Sequence, residues 1–242
     1  MSNSPESIAV ISTYATDHFI NSKTREEYKE QKGGPVEFLV RALKKLGLKP
    51  SVFTGSETLS VDILVDLEKG DEFGRIRAKP TITPFPETQA RSAIVSTILD
   101  EWDLSDSSDF KGLLFVDIQG YVRDGTDFGK KKAWDQVAKL APYIFCLKGN
   151  EIEMSQIPLE VLENQKRERM VIITKDKKGA DIFFQGKSFH LTPLRILNPP
   201  NTVGAGDTFF ANFVYKFLET QDIEISCRFA FDQTSDFLAE IT

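Results

Sequence analysis

Apolar strands alternating with amphipathic helices predict an α/β fold built on a mostly parallel sheet that is covered on both faces. Runs such as 170–174 (MVIIT) are apolar at every position, as strands buried on both sides must be. The segments between such runs carry apolar residues at helical spacing. A third pattern stands apart: Val61, Ile63, Val65 and Leu67 alternate with polar neighbours, which marks a half-buried hairpin.

In chain order, residues 7–13 form a first buried strand. The charged stretch 21–34 (NSKTREEYKEQKGG) has no apolar face and reads as an exposed excursion. Pro35 to Leu46 places Val36, Leu39, Val40 and Leu43 on one helical face and stops at Gly47. A short strand starts at Ser51, and the hairpin occupies 59–79 with its turn at Gly70-Asp71 and Ile76 on the return. Strands follow at 93–95 and 113–120, a helix at 129–140, a strand at 143–150 and a helix at 158–166. The apolar run 170–174 precedes a hairpin of 180–184 and 188–192, and helices at 206–219 and 223–240 end the chain. One α/β domain over 1–242, with a small β lid inserted at 57–80 and possible further lid strands in 18–32, is the economical organisation.

Composition narrows the function. With 30 Lys+Arg against 36 Asp+Glu, a net charge of −6 argues against a broad electrostatic grip on nucleic acid or anionic membrane. No run approaches the roughly 18–20 apolar residues of a membrane span, and the N-terminus lacks a signal-peptide pattern, so a cytoplasmic location is expected. Cys146 and Cys227 lie at no ligand-like spacing and read as reduced core thiols.

The most informative segment is 196–219. Pro199-Pro200 breaks the chain, and Gly204-Ala205-Gly206 then runs into Asp207 and an amphipathic helix. Small residues let the backbone approach a ligand, and the first amides of a helix have no internal partner. With the helix dipole this makes an anion cradle suited to a phosphate. Asp207 at its lip would repel that anion unless it has another task, such as taking a proton from a nucleophile. The same spacing also suits a tight turn with Asp207 as an ordinary helix cap, and both readings stand at this level.

NTVGAGDTFFANF, over 201–213, resembles the C-terminal signature of the ribokinase (PfkB) family of carbohydrate kinases. Other marks follow in the family's order: Asp17 at the end of the first strand, Gly33-Gly34 before the first long helix, Asn150 with Glu153, and Thr174 with Gly179 downstream. The resemblance spans roughly 7–240 and implies a ribokinase-like three-layer αβα sandwich with a reduced β lid. It further implies transfer of the γ-phosphoryl group of ATP to an alcohol. Asp207 would be the base, and Gly204, Ala205 and Gly206 the anion hole. Asp17, Gly33 and Gly34 would hold the substrate, and Thr174 and Gly179 the nucleotide. Asn150 and Glu153 would hold magnesium through water, although Asn and Glu three apart also make a helix-capping pair.

Several positions depart from the family pattern. Asn201 replaces an Asp linked to a monovalent-cation site, which puts potassium activation in doubt. Phe38 stands where many sugar kinases have a sugar-contacting Asn, and Asp176 where a Gly is usual. Gly33-Gly34-Pro35 and the run from Asp117 to Arg123 resemble the archaeal and plant-type cyclitol (inositol) kinases, which adds Arg123 as a substrate or phosphate contact. A nucleoside acceptor, or a degenerate member that only binds a nucleotide or metabolite, are the alternatives. The hairpin's apolar face suits either closure over substrate or a homodimer through the lid. His18 and His190 read as surface residues, Lys175, Lys177 and Lys178 as a solvated turn, and Trp102 and Trp134 as packing.

Overall fold

The computed structural model describes residues 7–65, 72–197, 199 and 202–240. The first half contains β1 (Ile8–Ser12), β2 (Ala15–Asn21), β3 (Glu27–Gly33), α1 (Pro35–Lys45), β4 (Ser51–Thr54), β5 (Leu59–Val65) and β6 (Glu72–Ile76). Next come β7 (Thr83–Pro84), β8 (Ser92–Ser96), β9 (Trp102–Asp103), β10 (Leu113–Asp117), α2 (Val137–Leu140) and β11 (Cys146–Asn150). The chain continues through α3 (Glu151–Met154), α4 (Leu159–Glu168), β12 (Met170–Thr174), β13 (Ala180–Phe184), β14 (Lys187–Leu191), α5 (Ala205–Thr220) and α6 (Ile223–Glu240).

The central sheet runs β14-β13-β12-β11-β10-β8-β1-β4, parallel from β12 to β4, with β13 and β14 antiparallel at one edge. Period-two alternation sends Ile8, Val10, Ile94, Phe115 and Cys146 to one face, where α1, α5 and α6 cover them. Ala9, Ile11, Val95, Val116 and Leu147 point the other way, against Trp102, Trp134, Val137 and Leu162. The result is a three-layer αβα sandwich. Phe209, Phe213 and Phe217 stack at helical spacing along the inner face of α5 and contribute much of the first core. Cys146 and Cys227 are buried free thiols. Among the described residues no helix is long and apolar enough to cross a membrane.

A second sheet, ordered β3-β2-β5-β6, stands beside the central one. The 59–79 hairpin is only half of it. Residues 15–33 form β2 and β3 and pair with it, so most of the stretch that reads as a charged excursion is strand. β3 has no apolar stripe because it is an exposed edge strand, and charged side chains protect such an edge. The apolar face of this sheet (Phe19, Val61, Ile63, Val65) turns inward onto Ile98, Phe128 and Val203. Its outer face carries Asp62 paired to Arg75 and Arg77, so a homodimer through this sheet would have to use charged surface. The Gly70-Asp71 turn and Leu67 lie outside the described residues.

The helix expected at 129–140 shrinks to Val137–Leu140. The Lys130 carbonyl accepts from Asp124 N–H at 3.1 Å and Lys132 N–H donates to the Val122 carbonyl at 2.8 Å, so an antiparallel bridge holds 130–132 against 122–124 in place of a helical turn. Asp17 belongs to β2, not to the end of the first strand, because the chain leaves β1 at Ser12 and re-enters extended structure at Ala15.

Candidate active site

α1, which follows β1, lies on one face, whereas α2 and α4, which follow β10 and β11, lie on the other. The winding therefore reverses between β1 and β8, and in such sheets ligands bind at the carboxyl ends of the strands at that point. A cavity of about 520 Å³ opens there. Asp17, Gly34, Arg123, Asn150, Glu153, Gly204, Gly206 and Asp207 all line it, although they come from distant parts of the sequence.

α5 begins at the cavity. Gly204 caps it with φ 85°, and a Cβ there would run into the Phe38 ring, so glycine is needed on both counts. The Gly206 N–H has no backbone acceptor among the described residues, as expected at a helix start. Ala205 differs: its N–H donates to the Thr202 carbonyl at 3.0 Å and it does not line the cavity. Phe38 is buried edge-on against Phe237, so most of its ring is committed to packing.

Asp207 is half-buried, and its Oδ1 accepts a hydrogen bond from Ser96 Oγ at 2.9 Å. Sheet register explains what lies beneath. Ser96 pairs with Asp117 and Asp117 with Lys148, so the three side chains form one row on the face that α5 covers. Lys148 Nζ donates to Asp117 Oδ2 at 2.6 Å, with both side chains buried. Burial, and then the Asp117 charge, push the Asp207 carboxyl up to about 6, while Lys148 and Ser96 pull against that rise. A carboxylate with that pKa is mostly ionised at neutral pH yet basic enough to accept a proton.

Asp17, which also lines the cavity, is 4% exposed, and its Oδ2 has no hydrogen-bond partner among the described residues. Burial pushes this carboxyl up to about 6, opposed by His18 and Gln31. Gly33 lies against it, and any Cβ there would collide with the Asp17 carboxylate. Gly34 caps α1 with φ 84°, with no room for a Cβ beside the Thr13 carbonyl. Gly33 thus makes room for the acid and stands outside the cavity, whereas Gly34 packs on the 13–15 backbone and lines the cavity itself.

Asn150 and Glu153 form a reciprocal capping box on α3, each backbone N–H donating to the other's side-chain oxygen at 2.8 Å. Both still line the cavity, and oxygen donors of this kind suit a magnesium ion that keeps most of its waters. Thr174 ends β12 beside Asn150 but does not line the cavity. Gly179 also stands outside it; a Cβ there would strike the Leu191 carbonyl, so it serves the β12–β13 turn. Asp176 adopts φ 53°, so the glycine-like backbone is retained at that position with an aspartate, which tolerates it. Asn201 and Pro200 lie outside the described residues.

Several side chains gain roles that the linear pattern hides. Lys175 is paired to Asp181 at 2.6 Å and to Glu151 at 3.3 Å, which engages it within the protein. His190 shares Asp181 at 2.6 Å and is exposed. His18 is buried in β2 and held by Glu27 at 2.9 Å, contrary to a surface loop position. Buried Glu101 accepts the N–H groups of Ile98 and Leu99 and so shapes a loop at the cavity's edge. Asp117 and Lys148 were legible as charges ending apolar strands at the period of Phe115 and Cys146. Lys131, which also lines the cavity, had no such signal.

Residues 126–232 match the family model of the pfkB family carbohydrate kinases. No curated protein matches the sequence. Among solved structures, the chain is similar to a pyrophosphate-dependent kinase in the ribokinase family, complexed with a pyrophosphate analog and myo-inositol. The TM-score is 0.74 at 17% identity, covering 96% of this chain and 95% of that one. It is also similar to a nucleoside kinase of Methanocaldococcus jannaschii (TM-score 0.72, 15% identity, 97% and 98% covered). Arabidopsis thaliana ribokinase complexed with ribose and ATP aligns at TM-score 0.64 and 16% identity, with 95% and 91% covered. The pfkB family model thus matches the stretch that carries Asn150, Glu153, Gly204, Gly206 and Asp207, and the chain as a whole has a ribokinase-like fold.

Proposed function

We propose that the protein is a phosphotransferase that moves the γ-phosphoryl group of Mg-ATP to an alcohol of a small sugar or polyol, with a cyclitol as the favoured acceptor. One observation carries this reading: Asp207, held by Ser96, stands in the first turn of α5 beside the Gly204 and Gly206 backbone, in a cavity that is also lined by Asp17, whose buried Oδ2 has no partner among the described residues. Asp17 would accept hydrogen bonds from acceptor hydroxyls and orient one of them toward Asp207. Asp207 would take that hydroxyl's proton as the oxygen attacks phosphorus, and the α5 terminus would stabilise the charge gathering on the transferring group. Magnesium bound near Asn150 and Glu153 would neutralise donor phosphate charge. The small sheet, with its apolar face inward, serves as the lid that excludes water.

Pyrophosphate as the donor is a second reading with its own observation. Thr174 and Gly179, the residues expected to face a nucleotide, do not line the cavity. The solved relative bound to a pyrophosphate analog and myo-inositol has the same fold. The test is a turnover panel of sugars, cyclitols and nucleosides, run with Mg-ATP and with Mg-pyrophosphate. A cyclitol or sugar that gives phosphorylated product with either donor supports the reading. Turnover of nucleosides alone would overturn the acceptor class, and binding of donor without any product would favour a non-catalytic member.

A further inference from the structure

The small sheet is closed onto the core by a seam that the mechanism above does not use. β6 is an edge strand of that sheet, and its backbone bonds to the 124–130 loop. Ile76 N–H donates to the Gly125 carbonyl at 3.0 Å, and Phe128 N–H donates to the Gly74 carbonyl at 2.7 Å. A glycine accepts in both bonds, and packing demands each of them. A Cβ on Gly74 would lie 2.3 Å from Phe128 Cδ2, and one on Gly125 would lie 2.6 Å from Leu99 Cδ2. Gly74 is outside the left-handed region, so the Phe128 ring, not the backbone, excludes a side chain there. Phe128 stands at the centre of the seam. Its ring packs with the apolar face of the small sheet, and its centroid lies 4.2 Å from the Arg123 Cζ. Its carbonyl accepts from Lys131 Nζ at 2.7 Å. Gly74, Phe128, Arg123 and Lys131 all line the cavity. Burial lowers the Arg123 pKa, and Glu153, Asp117, Asp207 and Glu101 oppose that through space. The direction of the guanidinium is set by the Phe128 ring and by the Ile98 carbonyl, which accepts from Nη1 at 3.1 Å.

We infer that Phe128 is a positioning residue: it clamps β6 of the small sheet to the cavity wall, so that closing the cavity and aiming the Arg123 guanidinium are one event. The clamp stands on the geometry of the seam; its part in the reaction rests on the phosphotransfer reading. With the seam closed, two backbone bonds and one ring hold the sheet over the cavity. With the seam open, water reaches the transferring group and Arg123 loses the ring that orients it.

Hydrogen exchange on the full chain tests the clamp without turnover. Gly74→Ala should speed exchange of the Ile76 and Phe128 amides together, by about tenfold or more, while β10 and β11 keep wild-type protection. Phe128→Ala opens the seam from the other side without a collision and should do the same. Faster exchange at Ile76 with an unchanged Phe128 amide, or no change at either amide in both variants, overturns the clamp. The kinetic arm measures donor consumed per phosphorylated acceptor formed. This ratio should be close to one in the wild type and should rise above it in both variants, as a water oxygen takes the phosphoryl group from the donor in place of the acceptor. Phe128→Leu keeps apolar bulk on the seam but no ring. It should retain amide protection and still lower kcat/KM, which a merely structural role would not do. A ratio unchanged from wild type in a variant whose seam is open overturns the positioning role. No consumption of donor by the wild type with any acceptor would remove the kinase reading and that role with it, while the exchange pattern would still decide the clamp.

Discussion

Replacing Asp17 with Asn should make the protein more stable at neutral and alkaline pH while impairing acceptor binding. The side chain is 4% exposed, its Oδ2 lacks a partner, and its folded pKa is raised from 3.8 to about 6. The folded state therefore holds this proton more tightly than the unfolded chain does. The resulting stabilisation is fully present below the unfolded pKa and is lost as pH rises through the folded one. A shift of that size corresponds to roughly 3 kcal/mol at about 1.4 kcal/mol per unit. Asp17→Asn removes the titration, so its stability relative to wild type should climb by about 2–3 kcal/mol between pH 4 and 8. In a chain of this length that is a relative Tm gain on the order of 5–10 °C. Urea unfolding of both proteins at several pH values measures it, since the other titrating groups are common to both. A stability difference that stays flat with pH would refute the reasoning, because Asp17 would then titrate alike in both states.

Other expectations follow from the same geometry. Because the Asp207 carboxyl sits at about 6 and must be ionised to accept a proton, kcat/KM should fall below that pH, to about a tenth of its plateau at pH 5. Lys148→Met should move that acidic limb upward, because the ammonium that holds Asp207 ionised is gone. Gly204→Ala should cost roughly 2–3 kcal/mol in urea unfolding, since it combines a left-handed backbone with a collision against Phe38. Glu153→Gln should raise the magnesium concentration needed for half-maximal activity by about tenfold, measured by titrating the ion into chelated enzyme.

Much of the fold was legible because its strands are buried on both faces. MVIIT over 170–174 and the Phe-rich helix after Gly204 could hardly have formed anything else. Legibility failed where backbone pairs with backbone across a loop or where an element has no buried face. Backbone pairing of 122–124 with 130–132 replaced the start of an expected helix, and β3 paired as an edge strand without an apolar stripe. The site was partly visible in the same way. Gly204, Gly206 and Asp207 stood out by spacing, but their role, like that of Asn150 and Glu153, came from the family resemblance, and Asn150 and Glu153 also make the helix cap. The row of Ser96, Asp117 and Lys148 exists only through register across three parallel strands. Arg123 and Lys131 meet only because an irregular loop folds back on itself.

The central claim is that Asp207 takes the acceptor's proton as a phosphoryl group arrives at the start of α5. Its most direct test is phosphorus NMR of the product formed by wild type and by Asp207→Asn, with one acceptor and saturating magnesium and donor. The variant should bind donor and acceptor normally and form product at least about a hundredfold more slowly, the scale of positioned base catalysis. Product formation at the wild-type rate in Asp207→Asn would contradict the account and leave the carboxylate as no more than a helix cap.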